Sequence, residues 1–209
     1  MRRGNALAFA IMLTMASQSE AGVIRGRLRI GAPPQDSHIQ GTVVEAAGTD
    51  QAVLWIDPLP ENVARRYRAA PANKRVIQSR RTFAPLVTWV MVGSTVDFAN
   101  RDQVYHNVFS VSPAQRFDLG KYPPRTSRRM TFEHPGVVNL FCDIHPWMSA
   151  YVVVLPHRVF AVPNRAGEWK LPSLPPGEYT LHIWHPTMGE RQQTVRVPSH
   201  GDAVLALND

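Results

Sequence analysis

An all-β protein is predicted by the 209-residue chain, and three observations carry that reading. Runs of four to eight residues rich in Val, Ile, Thr, Tyr, Phe and Trp recur along it, with the length and composition of strands. The 18 prolines and 13 glycines are spread between those runs, as turns rather than as one linker. A hydrophobic share of 44% is enough for a real core, which excludes global disorder. The length suits one large or two small domains.

Taken in order, residues 23–30 alternate apolar and basic side chains, as a half-exposed strand does. Residues 31–37 are turn-like, with Pro33, Pro34 and Asp36, and 41–45 and 52–56 read as two more strands. Between Pro58 and Pro71 lies the one short helix the pattern predicts, over 61–66. Strands follow at 76–79, 86–92 and 95–99, with Gly93-Ser94 turning between the last two. Residues 108–111 form the next, 116–124 read as a looser stretch, and 130–132 and 137–141 bracket a turn at His134-Pro135-Gly136. The run 150–155 closes this block. Beyond it the strands 159–162, 168–171, 179–184, 194–197 and 203–207 alternate with regular turns, and no fixed-period repeat is visible.

The first 21 residues read as a signal peptide: Arg2 and Arg3, an apolar stretch from Ala6 to Ala16, then Ser19-Glu20-Ala21 with small residues for cleavage. That stretch is shorter than the roughly 20 apolar residues of a transmembrane span. The expectation is export to the periplasm, with no transmembrane anchor after cleavage. Removing two cations and one anion turns the net charge of +7 into +6. The basic residues occur as scattered pairs without interleaved stacking aromatics, a poor match to nucleic-acid binding. The charge suits either docking to an acidic protein or a solvated surface.

One short stretch, Cys142-Asp143-Ile144-His145-Pro146-Trp147-Met148, concentrates the chemistry. It joins two predicted strands and offers a thiolate, an imidazole and a thioether at three-residue intervals. His106, 36 residues before Cys142, supplies a second imidazole from an adjacent strand. Two His and a Cys with a weaker Met are the donor set of an electron-transfer copper site. Thiolate and thioether favour Cu(I), while imidazole serves either oxidation state. Cys142 is the only cysteine, so in an oxidising compartment it has no disulfide partner within the chain. A lone Cys is more often simply buried, but the neighbouring His145 and Met148 favour the metal.

These residues carry a resemblance. The text Val92-Gly93-Ser94-Thr95-Val96-Asp97-Phe98-Ala99-Asn100, then His106-Asn107-Val108, then the run from Pro135 through Met148, resembles the cupredoxins, especially the amicyanin and plastocyanin-like branch. The resemblance implies a Greek-key sandwich over 75–156. It implies equatorial ligands His106, Cys142 and His145 and an axial Met148 around one type 1 copper. It also implies that Asn107 ties the two ligand loops together, and that electrons pass through His145 within a patch including Pro146 and Trp147. Trp147 stands where the family often has Phe, and Leu140 where it often has Tyr. The whole chain resembles methylamine-utilisation proteins that join such a sandwich to a transthyretin-like or carboxypeptidase-regulatory-like β-module. The matching text is Phe160-Ala161-Val162, Gly167-Glu168-Trp169 and Leu174-Pro175-Pro176-Gly177-Glu178-Tyr179. That module, at 157–209, would complete strands lying in 22–74, so the cupredoxin block is expected to interrupt it.

The function expected is transfer of single electrons between redox partners, with a c-type cytochrome or a dehydrogenase as partner. An enzyme is not expected: Cys142 is flanked by Phe141 and Asp143, which supply no bridging imidazole to a second copper, and no Gly-x-Ser-x-Gly or His-Glu-x-x-His is present. The alternative is copper delivery or storage, or a protein-interaction module, separated from a carrier by reversible redox behaviour. His182 and His185 are expected on opposite faces of a strand end, His134 in its turn, and His38, His157 and His200 in solvent.

Overall fold

The computed structural model describes residues 21–31 and 48–208. Residues 1–20 of the signal peptide expected at 1–21, residues 32–37 of the expected turn, the strand expected at 41–45 and His38 lie outside the described residues. The expected all-β class holds. The strands in chain order are β1 (Ile24–Arg29), β2 (Val53–Ile56), β3 (Lys74–Ser79), β4 (Thr82–Ala84), β5 (Val87–Met91), β6 (Ser94–Asn100), β7 (Phe109–Ser112), β8 (Gln115–Asp118), β9 (Ser127–Phe132), β10 (Gly136–Phe141) and β11 (Ser149–Leu155). After them come β12 (Phe160–Ala161), β13 (Glu168–Lys170), β14 (Gly177–His185), β15 (Gly189–Val197) and β16 (Ala203–Asn208). Among the described residues one α-helix, α1 (Glu61–Arg66), matches the predicted helix and tucks Val63 inward.

Two sheets, ordered β5-β11-β10-β7-β8 and β4-β3-β6-β9, enclose one apolar core with Val76, Val96, Phe98, Phe132, Val138, Leu140 and Val152. Two others, β13-β1-β16 and β12-β2-β14-β15, enclose a second with Ile24, Leu54, Ile56, Trp169, Leu181 and Val195. The early strands β1 and β2 therefore pair with partners more than a hundred residues later: Gly26 opposite Trp169 and Leu205, and Leu54 opposite Ile183.

The cores meet through strands buried on both faces. In β11, Val152 and Val154 enter the first core, while Val153 and Leu155 turn the other way. In β2, Leu54 and Ile56 enter the second core, while Val53 and Trp55 face Val153, Leu155, Met91 and Trp184 in a third cluster. Successive strand side chains point to opposite faces, so an uninterrupted apolar run marks a strand covered on both.

Two strands are absent from the sequence reading. β8 lies within the stretch read as loose, because Gln115-Arg116-Phe117-Asp118 is short and polar and its pairing to β7 comes from a partner that local pattern does not name. β4 follows β3 after only Arg80 and Arg81, both at φ 55°. Two-residue hairpin turns with both residues in this left-handed region ordinarily use Asn-Gly or Asp-Gly. Arginine there costs roughly 1–2 kcal/mol per residue without compensation. The compensation comes from Asp102, whose carboxylate accepts the N–H of Arg80 at 2.6 Å and of Arg81 at 2.9 Å.

Candidate metal centre

Antiparallel pairing of β7 with β10, with Phe109 opposite Phe141, brings the segment before β7 alongside the residue after β10. His106 is held there by two backbone bonds with Tyr122, His106 N–H to Tyr122 O at 3.2 Å and Tyr122 N–H to His106 O at 2.8 Å. Cys142 to Met148 form the connection from β10 to β11, tightened by the Met148 N–H donating to His145 O at 2.9 Å. The outcome is a buried cluster of three donors from the two ends of a 36-residue separation: His106 Nδ1 lies 3.9 Å and His145 Nδ1 3.7 Å from Cys142 Sγ. One donor atom from each of the three lies within 4.8 Å of the others.

Those distances suit a shared ion. Nitrogen and sulfur donors bound at about 2.0–2.3 Å from one metal stand roughly 3.5–4 Å apart. The rings of His106 and His145 have centroids 4.8 Å apart and are tilted by 54°, so neither covers the other's donor edge by stacking. Met148 is 1% exposed and belongs to the same apolar cluster as Cys142, Leu140 and Val138.

The orientation of His106 is set from behind. Its Nε2 lies 2.8 Å from Asp102 Oδ2, so the ring proton sits toward the carboxylate and the Nδ1 lone pair toward Cys142. Burial pushes the Asp102 carboxyl upward, but the backbone N–H of Arg81, the His106 ring and the N–H of Arg80 outweigh it, and its pKa lies below the ordinary value. Asp102 is in turn fixed by its own N–H donating to Asn100 Oδ1 at 3.0 Å, and Asn100 Nδ2 donates to Val104 O at 2.8 Å. Asp102 is the neighbour of the donor cluster that sequence reading missed. The only local trace is a carboxylate four residues before His106, inside what reads as a strand end.

The expected linker Asn107 accepts the Asp143 N–H at 3.4 Å and donates to Asp118 Oδ1 at 2.6 Å, so it spans the His106 segment, the Cys142–Met148 loop and β8. His145 is buried at 8% exposure, and its pKa is lowered by that burial first, then by the charges of His106 and Arg81, with Asp102 opposing. A neutral imidazole is the form that can bind a metal. Pro146 and Trp147 are exposed over it, Trp147 to 41%, and the Trp147 ring meets the His145 ring edge-on at 5.3 Å. The indole N–H of Trp147 donates to Arg81 O at 3.2 Å, so the β3–β4 turn touches the loop as well as Asp102.

The remaining histidines lie elsewhere. His182 stacks on Trp55 at 5.0 Å and is bonded to Glu190 Oε1 and Asp57 O, while His185 is fully buried and bonded to Thr187 Oγ1. His134 and His200 are exposed. His157 corrects the expectation of a solvated side chain: it is 5% exposed, with Nδ1 accepting the Val159 N–H at 3.2 Å. It lies against the end of β2, with Asp57 Oδ1 3.9 Å from its Nε2.

No protein-family model and no curated protein matches the chain. Among solved structures it is similar to a novel purple cupredoxin from Nitrosopumilus maritimus, at 26% identity over 39% of this chain and 99% of that one, with a TM-score of 0.37. It is similar to a reduced amicyanin mutant at 23% identity, over 49% of this chain and 98% of that one, with a TM-score of 0.38. A copper-containing nitrite reductase from Thermus scotoductus aligns at 26% identity over 47% of this chain and 27% of that one, with a TM-score of 0.37. At such TM-scores the likeness is partial.

Proposed function

We propose that the chain is an exported one-electron carrier with a single type 1 copper site, working in the periplasm between redox proteins such as a c-type cytochrome and a dehydrogenase. The observation that carries this reading is the buried triad His106 Nδ1, Cys142 Sγ and His145 Nδ1 at 3.7–3.9 Å, with Met148 buried in the same cluster. His106, Cys142 and His145 would be the strong ligands, and Met148 the weak axial one. Bound there, copper would supply a Cu(II)/Cu(I) couple.

The chain's own residues support that work. Asp102 holds the His106 ring and Asn107 holds the loop, so the donor set changes little between oxidation states. The core around Cys142 and Met148 excludes water. His145 lies just beneath the exposed Pro146 and Trp147, which gives an outer protein a short path to the site. A carrier is preferred to a catalyst because no imidazole flanks Cys142 to reach a second metal. Pairing of β1 and β2 with β12 to β16 supports reading 22–74 and 157–209 as one β-module interrupted by the cupredoxin block 75–156, in the manner of the methylamine-utilisation proteins.

The test is a Cu(II) titration followed by visible absorption, beside Cys142→Ser. The expected result is an intense blue band at one copper per chain, absent in the variant, and a reversible voltammetric wave. A protein that takes up copper without colour would exclude the type 1 site. A blue protein that releases copper on reduction would be a delivery or storage protein instead.

A further inference from the structure

A cationic rim stands against the proposed electron-exchange patch, and it is built rather than incidental. The β3–β4 turn places Arg80 and Arg81 in the exposed left-handed conformation described above, beside a hollow of about 340 Å³ that they line with Asp102, Gln103 and Val104. Arg81 O accepts the Trp147 indole N–H, which joins this rim to the residue covering His145. Asp102, bonded to the backbone of the pair, has both oxygens engaged: Oδ1 by the Arg80 N–H, Oδ2 by the Arg81 N–H and His106 Nε2. Among the described residues no carboxylate forms an ion pair with either guanidinium. Elsewhere Arg25 pairs with Asp202, Arg27 with Glu168 and Arg75 with Asp97, while Arg29 and Arg196 on β1 and β15 share the unpaired state among the described residues but lie away from the site. The one acid on the copper loop, Asp143, is already bridged to Lys121 at 3.7 Å.

We propose that Arg80, Arg81 and Trp147 form the docking surface for an acidic redox protein, the two guanidinium groups reading its carboxylates while the indole packs at the centre. This rests on the carrier reading for its purpose, but not for its binding chemistry. The strained turn has a rationale in it: a hairpin made of two arginines projects both charges beside the site, and the carboxylate that relieves the turn also orients His106. Exposed aromatic and arginine side chains are the residue types that anchor interfaces. Opposite charge at a rim accelerates encounter and makes it salt-dependent.

The probe is a synthetic decaglutamate peptide titrated into the metal-free full chain and followed by amide and indole NMR shifts, so the outcome does not depend on copper. Shifts concentrated at the Arg80 and Arg81 N–H and the Trp147 indole N–H are expected, disappearing as ionic strength rises from about 0.01 to about 0.15 M. Arg80→Gln/Arg81→Gln should weaken the peptide about tenfold with the Trp147 signal in place. Arg29→Gln/Arg196→Gln, which removes the same charge from β1 and β15, should change it less than about twofold. Equal weakening by both pairs would reduce the effect to net charge and overturn the proposal, as would shifts spread over the other sheets or no binding. A chain that binds the peptide as expected yet never turns blue would leave this surface standing and sink the carrier reading instead.

Discussion

At the scale of the residue, the deciding contact is the 2.8 Å approach of His106 Nε2 to Asp102 Oδ2. A carboxylate acceptor raises the basicity of the opposite ring nitrogen and so favours Cu(II) over Cu(I). At the proposed copper site, Asp102→Asn should therefore raise the reduction potential and weaken metal binding by about 10–100-fold, read by voltammetry and competition titration. If the variant loses stability while its potential stays put, Asp102 serves the Arg80–Arg81 turn alone. The donors themselves were legible, since Cys142, His145 and Met148 are spaced within one loop. Asp102 was not, because its role depends on a hairpin about twenty residues earlier in the chain.

At the scale of the element, β11 joins the Cys142–Met148 loop to the third cluster, through which the two cores meet. Its run Ala150-Tyr151-Val152-Val153-Val154-Leu155 was legible as a strand, and its β-branched content explains why it forms one. Which neighbour covers each face was not legible, because a period of two says only that alternate residues diverge. Leu155 is fully buried in the cluster shared with Trp55 and Trp184. Leu155→Ala should cost roughly 2–5 kcal/mol in denaturant unfolding. The blue band should keep its position, since the donors lie at the opposite end of β11. A shifted band would mean that packing at this junction reaches the loop.

At the scale of the whole molecule, folding buries His157, which follows β11, against residues near the end of β2 about a hundred positions earlier. Burial lowers its pKa, and the Asp57 carboxylate, with Oδ1 at 3.9 Å from Nε2, opposes that without reversing it. The unfolded chain then binds a proton more readily than the folded one below the ordinary imidazole pKa of about 6.5. This contribution to stability is complete above about 6.5 and is lost as pH falls toward the lowered folded value. Chemical denaturation of the metal-free protein should accordingly show stability declining from pH 7.5 to 5.5, with a shallower slope in His157→Gln. An unchanged slope in the variant would assign the decline to other groups.

By itself the sequence determined the all-β class, most strands and a compact donor set, because alternation, turn residues and ligand spacing are local properties. Completion of the early strands by the far end of the chain was implied by the resemblance, but tertiary structure alone decided which strands β1 and β2 pair with and in what register. It also decided that Arg80 and Arg81 turn a hairpin onto Asp102, that Asp102 points at His106, and that His157 is inside. Each of these is a pairing between residues far apart in the chain, selected by which apolar faces cover one another and which buried polar atoms find partners, and no window of neighbouring residues contains it.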